Sequence, residues 1–189
     1  VGVVAKADAL LRGESDPQAI FERASALNPW IRGRLEPGKQ ITSVRMVSDY
    51  SYGSRYCAAD GVILCGDAVV FMDPVFSTGI FLALRSGEAA GDAAIGALQK
   101  GSFSAKEFVD YGTWLRETLT PLRRLIFAFY DPNFSFSSLA QSFPHLTGAI
   151  TDCLIGNVDR DFSELYGALD SFTTPPPEPQ YGRPLLERS

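Results

Sequence analysis

The sequence predicts a mixed α/β fold whose second half is mostly helical. Three observations carry that prediction. A short apolar run bounded by glycines, Gly61–Asp67 (GVILCGD), has the pattern of a fully buried strand. From Ser77 the pattern turns into a long helix rich in small residues, closed by Lys100 and Gly101. Beyond it helical patterns follow one another, and the strands are too few to close a sheet by themselves.

Taken in order, Val1–Lys6 (VGVVAK) is β-rich and reads as a strand. Asp16–Leu27 has helical spacing, with Ile20, Ala24 and Leu27 on one face. Ser15 or Asp16 can cap that helix, Pro17 suits its first position, and Asn28-Pro29 ends it. Ile41–Gly53 alternates in part and reads as a strand with an aromatic end. The long helix carries Ala83, Gly87, Ala90, Gly91 and Ala94, small residues that allow close packing on a sheet or a ligand. Ser104 with Glu107 is a capping-box pattern for a helix running to Tyr130, in which Pro121 either makes a kink or starts another helix. Asp131-Pro132-Asn133 breaks it. SSLAQSF and LTGAITDCLIG read as further short helices, and Thr173–Gly182 as an extended proline-rich tail.

The chain has 189 residues, 46% of them hydrophobic, enough for one domain with a real core. Net charge is −5, and no Lys/Arg-rich run exists, which argues against nucleic acid as a partner. No apolar stretch reaches the roughly 18 to 20 uncharged residues that a membrane span needs. The opening VGVVAKADAL lacks the order of a signal peptide and an initiating Met, and reads as a strand entered midway. The expectation is the later part of a longer polypeptide. Cys57, Cys65 and Cys153 are odd in number and form no CxxC pair, so neither a disulfide framework nor a metal site is expected, and a cytoplasmic location fits.

The chemistry concentrates in Gly66–Ile80 (GDAVVFMDPVFSTGI). A buried strand would deliver Gly66 and Asp67 at its carboxyl end, where open α/β sheets bind ligands. Gly66 lets a backbone or ligand come close. Asp67, acceptor-only when ionised, suits the hydroxyls of a nucleotide's ribose or ribityl chain. Ser77, Thr78 and Gly79 sit where the long helix begins, with free N–H groups and the positive end of the helix dipole. Such a terminus favours an anion or an electron-rich ring edge. Pro74 stiffens the connection. An isolated Gly-Asp or Ser-Thr-Gly would be only a turn and a cap; the ordered set after a buried strand is what argues for a site.

That ordered set resembles the second FAD-binding motif of the flavin-dependent monooxygenase fold: Gly-Asp-Ala, a proline, then a glycine opening a helix. Within that group it is most similar to the tryptophan, pyrrole and phenol branch of the flavin-dependent halogenases, whose pattern is Gly-Asp-Ala-x-x-x-x-Asp-Pro-x-x-Ser-x-Gly. Gly66, Asp67, Ala68, Asp73, Pro74, Ser77 and Gly79 match it throughout. Aromatic hydroxylases of the same fold carry a His and an Asn where this chain has Val70 and Phe81. VRMVSDYSYGS ahead of the motif resembles a substrate-domain strand returning to the flavin domain, and LTGAITDCLIGNVDRD resembles the C-terminal helical region of the pyrrole and phenol halogenases.

The resemblance implies the C-terminal portion of a FAD-binding, Rossmann-like monooxygenase fold with a mostly helical C-terminal region. Residues 1–60 would belong to a substrate-domain sheet and its return. Residues 61–101 would be the FAD-domain strand and long helix, 102–172 the helical region and 173–189 the tail. The implied activity is halogenation of an electron-rich aromatic through a flavin C4a-hydroperoxide and hypohalous acid. Gly66, Asp67, Asp73, Pro74, Ser77, Gly79 and Ile80 would contact FAD, and the backbone at Thr78 and Gly79 would hold chloride or bromide. A flavin reductase would supply reduced FAD, and the substrate could be tethered to an acyl or peptidyl carrier protein. The family's pyrophosphate-binding Gly-x-Gly-x-x-Gly and its catalytic Lys are not in this chain; Lys6, Lys39, Lys100 and Lys106 match no such motif. Two alternatives stay open: a hydroxylase or geranylgeranyl-reductase-like flavoprotein of the same fold, and a non-catalytic fragment without flavin.

Other residues carry weaker readings. His145, the single histidine, reads as a partly buried structural residue near a helix start, with a general base as the alternative. The runs FAFY and YDPNFSF read as helix-packing core, with a substrate wall as the alternative. Arg123-Arg124 reads as a solvated face, with a carrier-protein dock as the alternative. Cys65 reads as a buried apolar residue.

Overall fold

A computed structural model describes residues 1–48, 51–157 and 160–186. The chain divides into two compact units, one ending at residue 49 and one beginning at residue 50.

The first unit holds three helices: α1 (Ala7–Leu11), α2 (Pro17–Ala26) and α3 (Pro29–Leu35). Each of the last two is started by its sequence. The Asp16 carboxylate accepts from the N–H groups of Gln18 and Ala19, and the Asn28 side chain accepts from Trp30 and Ile31. Pro17 and Pro29 follow at the first helical position, where a missing N–H costs nothing. Asn28-Pro29, expected only to end a helix, therefore also begins one. Ile20 and Ser25 are the buried residues of α2.

The strand expected at Val1–Lys6 is not formed: the segment has no strand partner among the described residues, and Val1 and Val4 are exposed. The strand expected over Ile41–Gly53 shrinks to Tyr52–Gly53; residues 41–48 are unpaired, and Asp49 and Tyr50 lie outside the described residues. A strand's N–H and C=O groups need a neighbouring strand, and among the described residues neither segment has one.

The second unit contains all the strands among the described residues. β1 (Tyr52–Gly53) pairs antiparallel with β4 (Val70–Phe71), Tyr52 opposite Phe71. β2 (Tyr56–Ala59) lies between β3 (Val62–Ile63), antiparallel, and β5 (Arg183–Pro184), parallel. The run Gly61–Asp67 is thus a two-residue hairpin arm and not the expected buried strand. Val62 is half exposed because only β2 flanks β3.

The helices α4 (Gly79–Lys100), α5 (Val109–Tyr130), α6 (Phe136–Ser142), α7 (Thr147–Ile155) and α8 (Ser163–Asp170) complete the unit. α5 is its centre. Leu115, Leu119, Leu122 and Leu125 are buried, against a core that includes Cys57, Val69, Leu139, Cys153, Leu165 and Leu169. Pro121 lies buried inside an unbroken helix, so it does not start a new one. Tyr111 donates from its hydroxyl to the Leu64 carbonyl, 2.6 Å, tying α5 to the segment that leads into the motif. α8 was not expected from the sequence; it is two turns long, and Asp161 accepts from Ser163 at its start.

The proline-rich segment forms no helix or strand ahead of Arg183, but it is held. Arg116 donates to the Gly182 carbonyl at 2.8 Å and Arg123 to that of Pro177. Gly112 makes this possible: a Cβ there would meet the Gly182 oxygen at 2.8 Å.

Candidate functional site

The segment Gly66–Ile80 is a chain of tight turns laid against the start of α4. Gly66–Ala68 forms a single 3-10 turn, closed by Val69 N–H donating to the Gly66 carbonyl at 3.1 Å. Gly66 has φ +55°, and a Cβ on it would lie 3.3 Å from that of Ala83. Both facts demand glycine. Its N–H donates to Ser86 Oγ at 2.8 Å, and that hydroxyl donates to the Leu82 carbonyl at 2.7 Å. Ser86 is therefore the peg that fixes the Gly-Asp turn on α4. It was missed in the sequence, where the signal was a lone polar residue on the buried stripe Leu82, Ser86, Ala90, Ala97.

Asp67 is exposed, and among the described residues its carboxylate takes no hydrogen bond or ion pair, while its carbonyl accepts from the Tyr52 hydroxyl. The carboxylate is a free acceptor. Val69 and Val70 are buried and anchor the following residues, and Tyr52 stacks on Phe71 at 6.1 Å between centroids.

A second turn, Pro74–Phe76, follows. Asp73 caps it, its Oδ1 accepting from Val75 N–H at 3.0 Å, and Pro74 fills the first position. Asp73 is thus committed at least in part to the local backbone. Ser77 is left-handed at φ +56°, and its N–H closes the turn on the Pro74 carbonyl at 2.8 Å. This non-glycine residue in a costly conformation reverses the chain and aims it into α4.

α4 opens without a side-chain cap. Its first intrahelical bond is Leu82 N–H to Thr78 C=O at 2.9 Å. The N–H groups of Gly79, Ile80 and Phe81 lie ahead of it and have no acceptor inside the helix. Thr78 is buried, while Gly79 and Ile80 are exposed, so solvent reaches the turn at Gly79. A Cβ at Gly79 would meet nothing within 4 Å. The predicted residues are thus joined through α4: Ser77, Thr78, Gly79 and Ile80 at its start, Gly66 and Asp67 one to two turns on.

Other sequence readings are corrected. Cys65 is exposed rather than buried; Cys57 and Cys153 are the buried thiols, and burial pushes Cys153 up to about 12. His145 is exposed and pairs its Nε2 with Glu164 at 2.8 Å, so it links the turn before α7 to α8. Arg123 and Arg124 are not a free solvated face. Arg124 bonds Asp170 at 2.8 Å and lies 4.5 Å over the Tyr166 ring, while Arg123 holds the tail and lies over Phe127. The first unit holds an open cleft of about 840 Å³ between α2, α3 and residues 38–47, and no motif residue lines it.

No family model matches the chain. Individual relatives do. The chain is 28% identical over 158 residues to a 1H-pyrrole-2-carbonyl-[peptidyl-carrier protein] chlorinase of Pseudomonas fluorescens, a match covering 84% of this chain and 35% of the relative. It is 37% identical over 128 residues to a tryptophan 2-halogenase of Chondromyces crocatus, covering 65% of this chain and 24% of that one. A 1H-pyrrole-2-carbonyl-[peptidyl-carrier protein] brominase of Pseudoalteromonas luteoviolacea is 29% identical over 115 residues, covering 60% and 28%. The resemblance to flavin-dependent halogenases read from Gly66–Gly79 is borne out by these relatives, a chlorinase, a halogenase and a brominase by name, and by others named as flavin-dependent halogenases. The chain spans about a third or less of their length. Among the described residues, no helix is long and apolar enough to cross a membrane.

Proposed function

We propose that this chain carries the FAD- and halide-facing part of a halogenase acting on an electron-rich aromatic. The observation that carries the reading is the turn at Ser77–Ile80: a motif resembling that of halogenases ends in an exposed helix start whose first N–H groups have no acceptor among the described residues. A halide needs hydrogen-bond donors and partial positive charge. Such a turn offers both without a full cation.

The residues present fit FAD as well. The free Asp67 carboxylate suits ribityl or ribose hydroxyls, and Gly66 leaves the backbone bare beside it. Pro74, Ser77 and Ile80 would border the ring, with Asp73 holding their turn in shape. Bound reduced FAD would supply, with oxygen, the two-electron oxidation of the halide. Within this chain, Thr78 and Gly79 would hold the halide through backbone N–H groups, with Ile80 beside them. Residues 61–101 would belong to a Rossmann-like FAD domain, 1–60 to a substrate domain, 102–172 to the helical cover and 173–189 to the tail.

The pyrrole relatives' names support a carrier-tethered pyrrole or a similar aromatic as substrate. A separate flavin reductase would supply the reduced FAD. None of the lysines sits at the motif; Lys100 lies at the far end of α4, paired with Glu107. The lysine that directs the oxidant would come from elsewhere in the whole polypeptide.

The test uses the whole polypeptide in which this chain occurs, loaded with reduced FAD and mixed with oxygen in a stopped-flow instrument. The return of oxidised-flavin absorbance is followed at increasing bromide or chloride. Saturable acceleration by halide supports the reading. Reoxidation indifferent to halide points to a hydroxylase, and failure to bind flavin removes the flavin reading altogether. Gly79→Val is the matching variant. Its Cβ would meet no protein atom within 4 Å, yet the side chain would crowd the approach to the free amides, so the half-saturating halide concentration should rise at least about tenfold. Proline is a poorer probe here: Thr78 is helical at ψ −4°, a conformation that a following proline disfavours.

A further inference from the structure

The free-amide turn is bracketed by two phenylalanines five residues apart, and each is held by the C-terminal helices. On the near side, the Phe76 ring packs edge-on against Phe129 of α5 at 5.8 Å and Phe136 of α6 at 6.2 Å between centroids. On the far side, Phe81 lies in the first turn of α4, with its ring against Gly156 at the end of α7. A Cβ on Gly156 would come within 2.6 to 2.7 Å of three Phe81 ring atoms. Gly156 also has φ +85°, closes α7 through Gly156 N–H to Cys153 C=O, and is followed by Asn157 N–H donating to Asp152 C=O at 2.8 Å. The seat for the ring is thus a formed helix end, not a loose loop.

We infer that Phe81, seated on Gly156, and Phe76, seated between α5 and α6, are positioning residues that set the geometry of the α4 amide turn. Neither would touch the halide through its side chain. Ser77 holds a left-handed conformation that persists only where surrounding structure over-determines it. The two rings supply that constraint, one on each side. The C-terminal helical region would then hold the anion-binding turn in shape, as well as cover it. This rests on the halide reading for its purpose, but the mechanical coupling from α7 to α4 can be measured without it.

The experiment is amide NMR on the whole polypeptide in which this chain occurs, loaded with FAD and labelled for the amides of α4. Gly156→Ala forces a Cβ into the Phe81 ring. If the coupling exists, hydrogen exchange at Leu82, the first bonded amide of α4, speeds by about tenfold or more, while Ala97 near the other end of the helix is unchanged. Placed in a Phe81→Ala background, Gly156→Ala should lose most of that effect, because the ring that transmits it is gone. Leu165→Ala in α8 is the control for general destabilisation: it should alter exchange across the core without singling out Leu82. Bromide titration of the same samples reads the purpose. The shift of the Gly79 and Ile80 amides should saturate at several-fold higher bromide in Phe81→Leu than in the parent. Unchanged Leu82 exchange in both Gly156→Ala and Phe81→Leu would overturn the inference. Should Gly156→Ala fail to fold, Phe81→Leu decides the matter by the same two readings. Coupling at Leu82 with no bromide shift in the parent would sink the halide reading and leave the coupling standing.

Discussion

α4 and α5 are each 22 residues long and run nearly end to end in sequence, yet they do opposite work. α5 buries Tyr111, Leu115, Leu119, Leu122, Leu125 and Ile126 along most of its length. α4 buries only Leu82, Ser86, Ala90 and Ala97, and leaves Ile80, Leu84, Ile95 and Leu98 more than half exposed. The open stripe continues through Gly87 and Gly91, where a side chain would meet nothing. Two glycines inside a helix cost roughly 1 kcal/mol each relative to alanine. α5 is therefore shaped by its core, and α4 by something besides its stability in this unit.

The sharpest way to break that comparison is a pair of truncations. Leu122→Ala in α5 removes a side chain with no exposed surface and should cost about 2–5 kcal/mol. Leu84→Ala in α4, at 70% exposure, should stay within about 0.5 kcal/mol. Urea unfolding of the two variants measures both. A Leu84→Ala loss comparable to that of Leu122→Ala would mean that the open face of α4 is covered in solution.

The same contrast explains what the sequence made legible. The helices α2, α4 and α5 were readable because their signals are local: Asp16-Pro17, the Gly101 stop and leucine spacing all act within a turn or two. The motif was readable as an ordered set of residue types. What it does in space was not. Ser86 reaches Gly66 from 20 residues away, and Gly156 reaches Phe81 from 75; no local pattern encodes such contacts. The strands failed for the same reason in reverse. VGVVAK and ITSVRM have strand composition, but a strand is made by its neighbour, and β-propensity mostly reports a pleated, half-buried setting that these residues lack here. Cys65 and His145 were misplaced because burial is set by the tertiary fold.

A second pair of variants compares the two glycines of the motif. Gly66→Ala puts a side chain at φ +55° and 3.3 Å from Ala83, and should cost roughly 1–3 kcal/mol. Gly79→Ala has an open site and no left-handed backbone, so it should be neutral or stabilise by up to about 1 kcal/mol. Denaturation midpoints of the two give the difference. Gly79 would then be kept for what must approach the turn, and Gly66 for the fold itself. A costly Gly79→Ala would erase that distinction.

The smallest effect lies at the other end of α4, which is closed where the start is open. Gly101 is left-handed and caps the last carbonyls, and Lys100 pairs with Glu107 at 2.8 Å. The hydrogen bond from Lys100 holds the Glu107 carboxyl below its usual range. A carboxyl lowered in the folded state stabilises above its unfolded pKa, about 4.3, and that contribution is lost as pH falls through the lowered folded value. Glu107→Gln should therefore lower Tm slightly at pH 7 and not at the acid end. Because the pair is on the surface, added salt should shrink the difference further. If Glu107→Gln matched Gly66→Ala in effect, the closed end of α4 would be a structural anchor of the unit. If it does not, the helix is held mainly through Ser86 and its buried stripe, and its first turn is free to serve the motif.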